Sequence, residues 1–122
     1  MKEIKNVFLS LGMKGRSGEE IDTELCDMIL TMEDYCEEHC INIPKFVDNF
    51  ACERPSDNNQ RLWWLGEAIK KLGDCDTILL SYDYMNYNGC KVELEVARNY
   101  GLNILYLDID VEKMKFVVRE MK

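Results

Sequence analysis

The 122-residue sequence predicts an α/β fold: a doubly wound, three-layer parallel sheet of four to five strands with helices on both faces. Three observations carry that expectation. Short apolar runs without alternation, such as Val7-Phe8-Leu9 and Thr77-Ile78-Leu79-Leu80, suit strands buried on both sides. Between them lie segments whose apolar residues recur at helical spacing. Gly12, Gly73 and Gly101 punctuate the transitions.

The first strand is expected over residues 6–11, and Gly12-Met13-Lys14-Gly15-Arg16 forms a loop after it. Ser17 with Glu20 three residues on is a capping-box pattern that starts a helix. Ile21, Leu25, Met28, Ile29, Met32, Tyr35 and Cys36 mark its apolar face and carry it to about Cys40. A weaker strand follows around residues 44–47, where Pro44 implies a strand start or an edge. Asp57 and Gln60 repeat the cap pattern before a second helix, whose face is read as Leu62, Leu65, Ile69 and Leu72. Residues 77–82 are the central strand, and residues 83–89 a polar loop leading to a third helix that ends before Gly101. Residues 103–107 form another buried strand, and Asp110 is expected to cap a last helix presenting Met114, Val117, Val118 and Met121.

Bulk properties narrow the function classes. The length suits one domain over residues 1–122. With 47% hydrophobic and 31% charged residues, the chain reads as an ordinary globule, and no apolar run is long enough to span a bilayer. Met1-Lys2-Glu3-Ile4-Lys5 lacks the apolar segment of a signal peptide, so a cytoplasmic location is expected. A net charge of −8 excludes a general binder of nucleic-acid polymers, which needs clustered cations, and no membrane partner is expected. Six cysteines in such a chain read as reduced thiols. Cys36, His39 and Cys40 share a helical face but have no second histidine or cysteine pair to complete a zinc site, so neither metal nor cofactor is expected.

On such sheets ligands bind beyond the carboxyl ends of the strands. Residues 10–16, residues 83–89 and whatever follows Leu107 should therefore share one crevice. In the third helix Val92, Val96, Ala97 and Tyr100 point one way and Lys91, Glu95 and Arg98 the other. Glu93 falls within the apolar face, in the first turn, where unpaired N–H groups favour an anion. A carboxylate aimed inward at the ligand edge suits a nucleophile or an anchor for a sugar hydroxyl; the alternative is a glutamate folded back as a cap.

Three stretches together resemble one family. Val7-Phe8-Leu9-Ser10 with Met13-Lys14-Gly15, Leu62-Trp63-Trp64-Leu65-Gly66 with Asp76-Thr77-Ile78-Leu79-Leu80, and Gly89-Cys90-Lys91-Val92-Glu93 with Tyr100-Gly101 follow in order across most of the chain. They resemble the nucleoside 2-deoxyribosyltransferase-like superfamily, and within it the uncharacterised DUF4406 subgroup. The resemblance implies a flavodoxin-like or Rossmann-like domain that cuts or transfers an N-glycosidic bond, with Glu93 attacking C1′ of a nucleoside or nucleotide as in a retaining glycosidase. The implied partners are that small molecule and further copies of the chain in a homo-oligomer, with Trp63 a candidate subunit contact.

The family pattern maps a phosphate site onto Gly15, Arg16 and the start of the first helix, where N–H groups are free; the alternative for these residues is a solvated loop. Phe8, Ser10, Gly12, Tyr87 and Gly89 match ligand-contacting stretches. Asp83 is a candidate for a sugar contact or proton donor, or else a turn former. Asn86 and Asn88 are candidates for hydrogen bonds to base or sugar, with Asn88 alternatively a helix cap. Asp76, at the amino end of its strand, is read as structural. The sequence departs from the family at three places: Ala68 stands where relatives carry an aspartate, Tyr87 where they carry aspartate or serine, and Phe8 where they carry tyrosine. A module that binds a nucleotide-like ligand without chemistry, or a structural oligomer, accommodates the same departures.

Overall fold

A computed structural model of the chain describes residues 3–48 and 60–121. Eight regular elements follow in order: β1 (Asn6–Ser10), α1 (Gly18–Glu38), β2 (Lys45–Val47), α2 (Gln60–Leu72), β3 (Thr77–Leu80), α3 (Asn88–Asn99), β4 (Asn103–Asp110) and β5 (Lys115–Glu120). A single 3-10 turn, Tyr84–Asn86, links β3 to α3. The strands form one sheet in the order β2-β1-β3-β4-β5. All neighbours are parallel except β4 and β5, which are antiparallel. The architecture is the α/β three-layer arrangement that the alternating pattern implies.

Alternation along the strands decides which face each residue serves. Val7 and Leu9 of β1, with Leu79 of β3 and Leu105 and Leu107 of β4, pack against Ile21, Leu25, Met28, Met32 and Cys36 of α1. Phe8, Ile78 and Leu80 turn to the opposite face and meet Ala68 and Leu72 of α2 and Leu94 and Ala97 of α3. Fully burying such side chains stabilises the fold by about 1.5–3 kcal/mol apiece before entropy is counted. Ser10 has the parity of Phe8, so it too faces the α3 layer.

α1 begins as its sequence pattern implies: the Glu20 N–H donates to Ser17 Oγ at 3.1 Å, and the hydroxyl donates to Glu20 Oε1 at 3.2 Å. The helix stops at Glu38, followed by Cys40 at φ 55°. In α2 the buried stripe is Ala68 and Leu72, while Leu62 is exposed, so the core face is shifted from the sequence reading. The cap expected from Asp57 lies outside the described residues. In α3 the buried residues are Cys90, Glu93, Leu94 and Ala97, whereas Val92 and Tyr100 are exposed. The helix presents its i, i+3, i+4, i+7 stripe of small and branched side chains, and Glu93 sits inside that stripe, but in the second turn rather than the first, beyond the free N–H groups expected to favour its charge.

The last element corrects the sequence reading. Residues 115–120 are a strand, β5, not a helix, and they pair with β4 through a register that runs from Asp110↔Lys115 to Leu105↔Glu120. Asp110 does act as a cap, but for a turn: its Oδ1 accepts from the N–H groups of Glu112 and Lys113 at 3.1 and 3.2 Å. Met114 takes φ 53° and completes the reversal. The open edge of β4 offers backbone partners to Phe116, Val117 and Val118, which favour extended backbone, and sheet pairing overrides the helical spacing.

At the amino ends of the strands, Asp76 ties the sheet together as expected of a structural residue. Its carboxylate accepts from the Lys5 N–H at 2.9 Å, the Asn6 N–H at 3.3 Å and Thr77 Oγ1 at 2.8 Å. Cys26, Cys36, Cys40, Cys75 and Cys90 are free thiols. No described helix is long and apolar enough to cross a membrane.

Asp76→Ala removes the acceptor for these donors and is expected to cost about 1–3 kcal/mol. Urea denaturation checks it: the midpoint falls with an unchanged slope.

Candidate functional site

The carboxyl ends of β1, β3 and β4 converge on a cavity of about 640 Å³. Arg16 and Ser17 come from the loop after β1, Tyr82 and Asp83 from the loop after β3, and Leu107 and Phe116 from the β4–β5 hairpin. The outer wall is α1 itself, through Glu20, Thr23, Glu24 and Asp27.

The inward-pointing acid lies outside the cavity lining. Glu93 is 8% exposed. Its Oε1 accepts a hydrogen bond from Ser10 Oγ at 2.6 Å. Among the described residues no fully buried side-chain nitrogen or oxygen lacks a partner. Oε2 has no protein donor, so it keeps contact with solvent. Neither a lysine nor an arginine pairs with this carboxyl in any described salt bridge. Burial therefore pushes its pKa up to about 7, opposed in part by the Ser10 hydroxyl. Cys90, one turn earlier, is buried in the same region, and burial together with the negative field of Glu93 and Asp83 pushes its thiol up to about 12. That thiol is protonated and inert at neutral pH.

A methyl group on Gly12 would overlap the Tyr87 ring, so that ring rests directly on the Gly12 backbone. Arg16 holds the same loop from the other side, its Nη1 donating to the Gly12 carbonyl at 2.7 Å and its Nη2 to Glu24. Glu93 is not among the residues that line the cavity, whose outer wall is α1, whereas its partner Ser10 faces the α2/α3 layer.

The remaining candidates scatter. Asp83 lines the cavity and accepts from Ser81 Oγ at 3.1 Å. Ser10 is buried against Glu93, and Gly12 lies under Tyr87. Phe8, 1% exposed, is packed in the α2/α3 core and does not reach the cavity. Gly15, with φ 73°, sits in open space at the loop tip. Asn86, Asn88 and Gly89 are exposed and outside the cavity lining. Asn88 is the first residue of α3 rather than its cap; Tyr87 occupies the cap position without a side-chain bond.

Arg16 differs from its sequence reading as a phosphate ligand: its guanidinium is committed to Gly12 and Glu24. The first turn of α1 also carries Glu19 and Glu20, which already complement the helix dipole. His39 stacks on Tyr35 and its Nδ1 lies 2.9 Å from the Tyr35 carbonyl, while Cys36 is buried in the core. Among the described residues no group of three or more histidine, cysteine or carboxylate side chains is placed to hold a metal ion. Trp63 is half-buried and meets Trp64 edge-on with ring centroids 5.1 Å apart.

Sequence reasoning missed the α1 wall and the aromatic floor. Glu24 and Asp27 are not among the residues the sequence singles out, and Glu20 enters only as the capping partner of Ser17, although their i, i+4, i+7 spacing places them on one stripe of α1. Phe116 was hidden because its segment was read as helix. Comparisons of the chain with protein-family models, with curated proteins and with solved structures return no match.

Two outcomes follow. Glu93 has a higher pKa folded than the ordinary 4.5, so the native state holds its proton more tightly. The associated stability is complete below about pH 4.5 and is lost as pH rises to about 7, a change of roughly 3 kcal/mol. Denaturation curves should show that decline in the wild type and its absence in Glu93→Gln. Gly12→Ala should destabilise the wild type but cost less in a Tyr87→Ala background, a coupling that a double-mutant cycle measures.

Proposed function

We propose that the protein cleaves or transfers the N-glycosidic bond of a nucleoside or nucleotide, with Glu93 as nucleophile. The observation that carries this reading is the state of that carboxyl: buried on a rigid helix at the ligand edge, fixed through one oxygen by Ser10 and open to solvent through the other. A nucleophile needs orientation and low solvation, and this arrangement supplies both. The resemblance of the chain to the nucleoside 2-deoxyribosyltransferase-like superfamily supports the same assignment for Glu93.

In the proposed reaction Oε2 attacks C1′ as the bond to the base nitrogen breaks, and the base departs with the bonding pair. The transition state carries oxocarbenium character, which the adjacent carboxylate stabilises. Water or a second base then attacks C1′ and releases the carboxylate. Asp83 lines the cavity, and in this reading it contacts a sugar hydroxyl or passes a proton to the leaving base.

A second reading, a module that binds a nucleotide-like ligand without chemistry, is favoured by one observation: Glu93 is not part of the cavity lining. Ligand carried through purification and released unchanged on denaturation would support it. In either reading the ligand is a small molecule, and self-association is proposed through the half-buried Trp63 surface.

Mass spectrometry of a nucleoside and nucleotide mixture, before and after incubation, tests the catalytic reading. Free base should accumulate with the wild type, and Glu93→Ala should abolish it, a loss of at least about a hundredfold. Turnover should rise with pH through about 7, because the attacking carboxyl must be ionised. An untouched mixture contradicts the proposal.

A further inference from the structure

The turn between β4 and β5 presents large apolar side chains to solvent. Val111 is 75% and Met114 82% exposed, and Met114 takes φ 53°, a backbone conformation uncommon outside glycine. Lys113 and Lys115 flank Met114, and neither enters a described salt bridge. Asp110 is folded onto the turn's own N–H groups, which leaves Glu112 to oppose these two cations.

The cavity at the same end of the sheet has the opposite character. Its α1 wall carries Glu19, Glu20, Glu24 and Asp27, and the Arg16 guanidinium is already bonded to Glu24 and the Gly12 carbonyl. The rings of Tyr82 and Phe116 line the other side 5.8 Å apart, both substantially exposed. Val111 and Met114 are not among the residues that line this cavity in their own chain. A cationic, apolar tip and an acidic cleft with an aromatic side therefore match between copies. We infer that two copies of the chain dimerise by exchanging these hairpin tips: Val111 and Met114 of each sit between α1 and Phe116 of the other, with Lys113 and Lys115 facing Glu20 and Asp27. Because tip and cleft share one end of the molecule, a two-fold axis satisfies both contacts at once, and the assembly closes as a dimer instead of growing into a filament. Methionine and aromatic rings anchor such an interface, and the paired charges fix its register. This surface is separate from Trp63, which lies on α2, on the opposite face of the sheet from α1. The inference does not depend on the glycosidic reaction, since Glu93 is not part of the cavity lining.

Sedimentation velocity of the full chain over a range of protein and salt concentrations tests it. The wild type should form a dimer whose dissociation constant rises with salt. Lys113→Glu/Lys115→Glu on the tip, and separately Thr23→Lys/Asp27→Lys on the wall, should each raise that constant by about tenfold or more. All four positions are exposed, so circular dichroism should show an unchanged fold. In an equimolar mixture of the two variants each acidic tip meets a more basic wall and each basic tip an acidic one, so the mixture should dimerise more tightly than either variant alone. Met114→Ser should weaken the dimer without altering its salt dependence. A wild type that is monomeric at every concentration overturns the inference. So does a dimer indifferent to the tip and wall changes, a mixture no tighter than its components, or a dimer that only Trp63→Ala dissociates.

Discussion

The 2.6 Å bond from Ser10 Oγ to Glu93 Oε1 joins the end of β1 to the first turns of α3, and the site is organised around it. It exists because strand parity sends Ser10 to the same side as Phe8, toward the α2/α3 layer. It also exists because α3 turns its Cys90–Glu93–Leu94–Ala97 stripe inward rather than the stripe that includes Val92. An unpaired carboxylate in that position is costly, and the protein answers the cost with a hydroxyl donor and one solvent-touching oxygen rather than with a cation. The consequence is an acid poised near neutrality, able to hold or release its proton within the ordinary working range of an enzyme.

Around that bond the three carboxyl-end loops divide the labour. The glycine loop supplies close approach: Gly12 has no side chain, and Tyr87 fills the space. Arg16 reinforces the loop through its carbonyl and through Glu24, so this guanidinium acts as a structural clasp. The β3 loop brings Asp83 and Tyr82, and the β4–β5 hairpin brings Phe116. The cavity and the Glu93 carboxyl thus occupy separate places, the one walled by α1 and the other held by Ser10.

Much of this was legible from spacing. The helical period of α1, its Ser17 cap, the buried runs of β1 and β3, and the inward placement of Glu93 all follow from patterns local enough for a single sequence to show. What escaped depended on partners far along the chain. Residues 114–121 have a helical spacing of apolar side chains, yet the unpaired edge of β4 recruits them as a strand. Asp110 performs the same chemistry at a turn as at a helix start, so its identity could not distinguish the two. Arg16 read as an anion ligand because nothing in its vicinity of the sequence announces that Glu24, two turns into α1, would neutralise it. Phe8 looked like a ligand contact by position, and strand parity put it in the core instead.

The most direct measurement is intact-protein and peptide mass spectrometry after brief acid quench of the protein with a deoxynucleoside. Attack by Oε2 predicts a deoxyribosyl adduct on the peptide carrying Glu93, formed with release of free base and absent from Glu93→Ala. Release of base with no adduct on that peptide, or an adduct that survives in Glu93→Ala, would contradict the assignment of this carboxyl as the nucleophile.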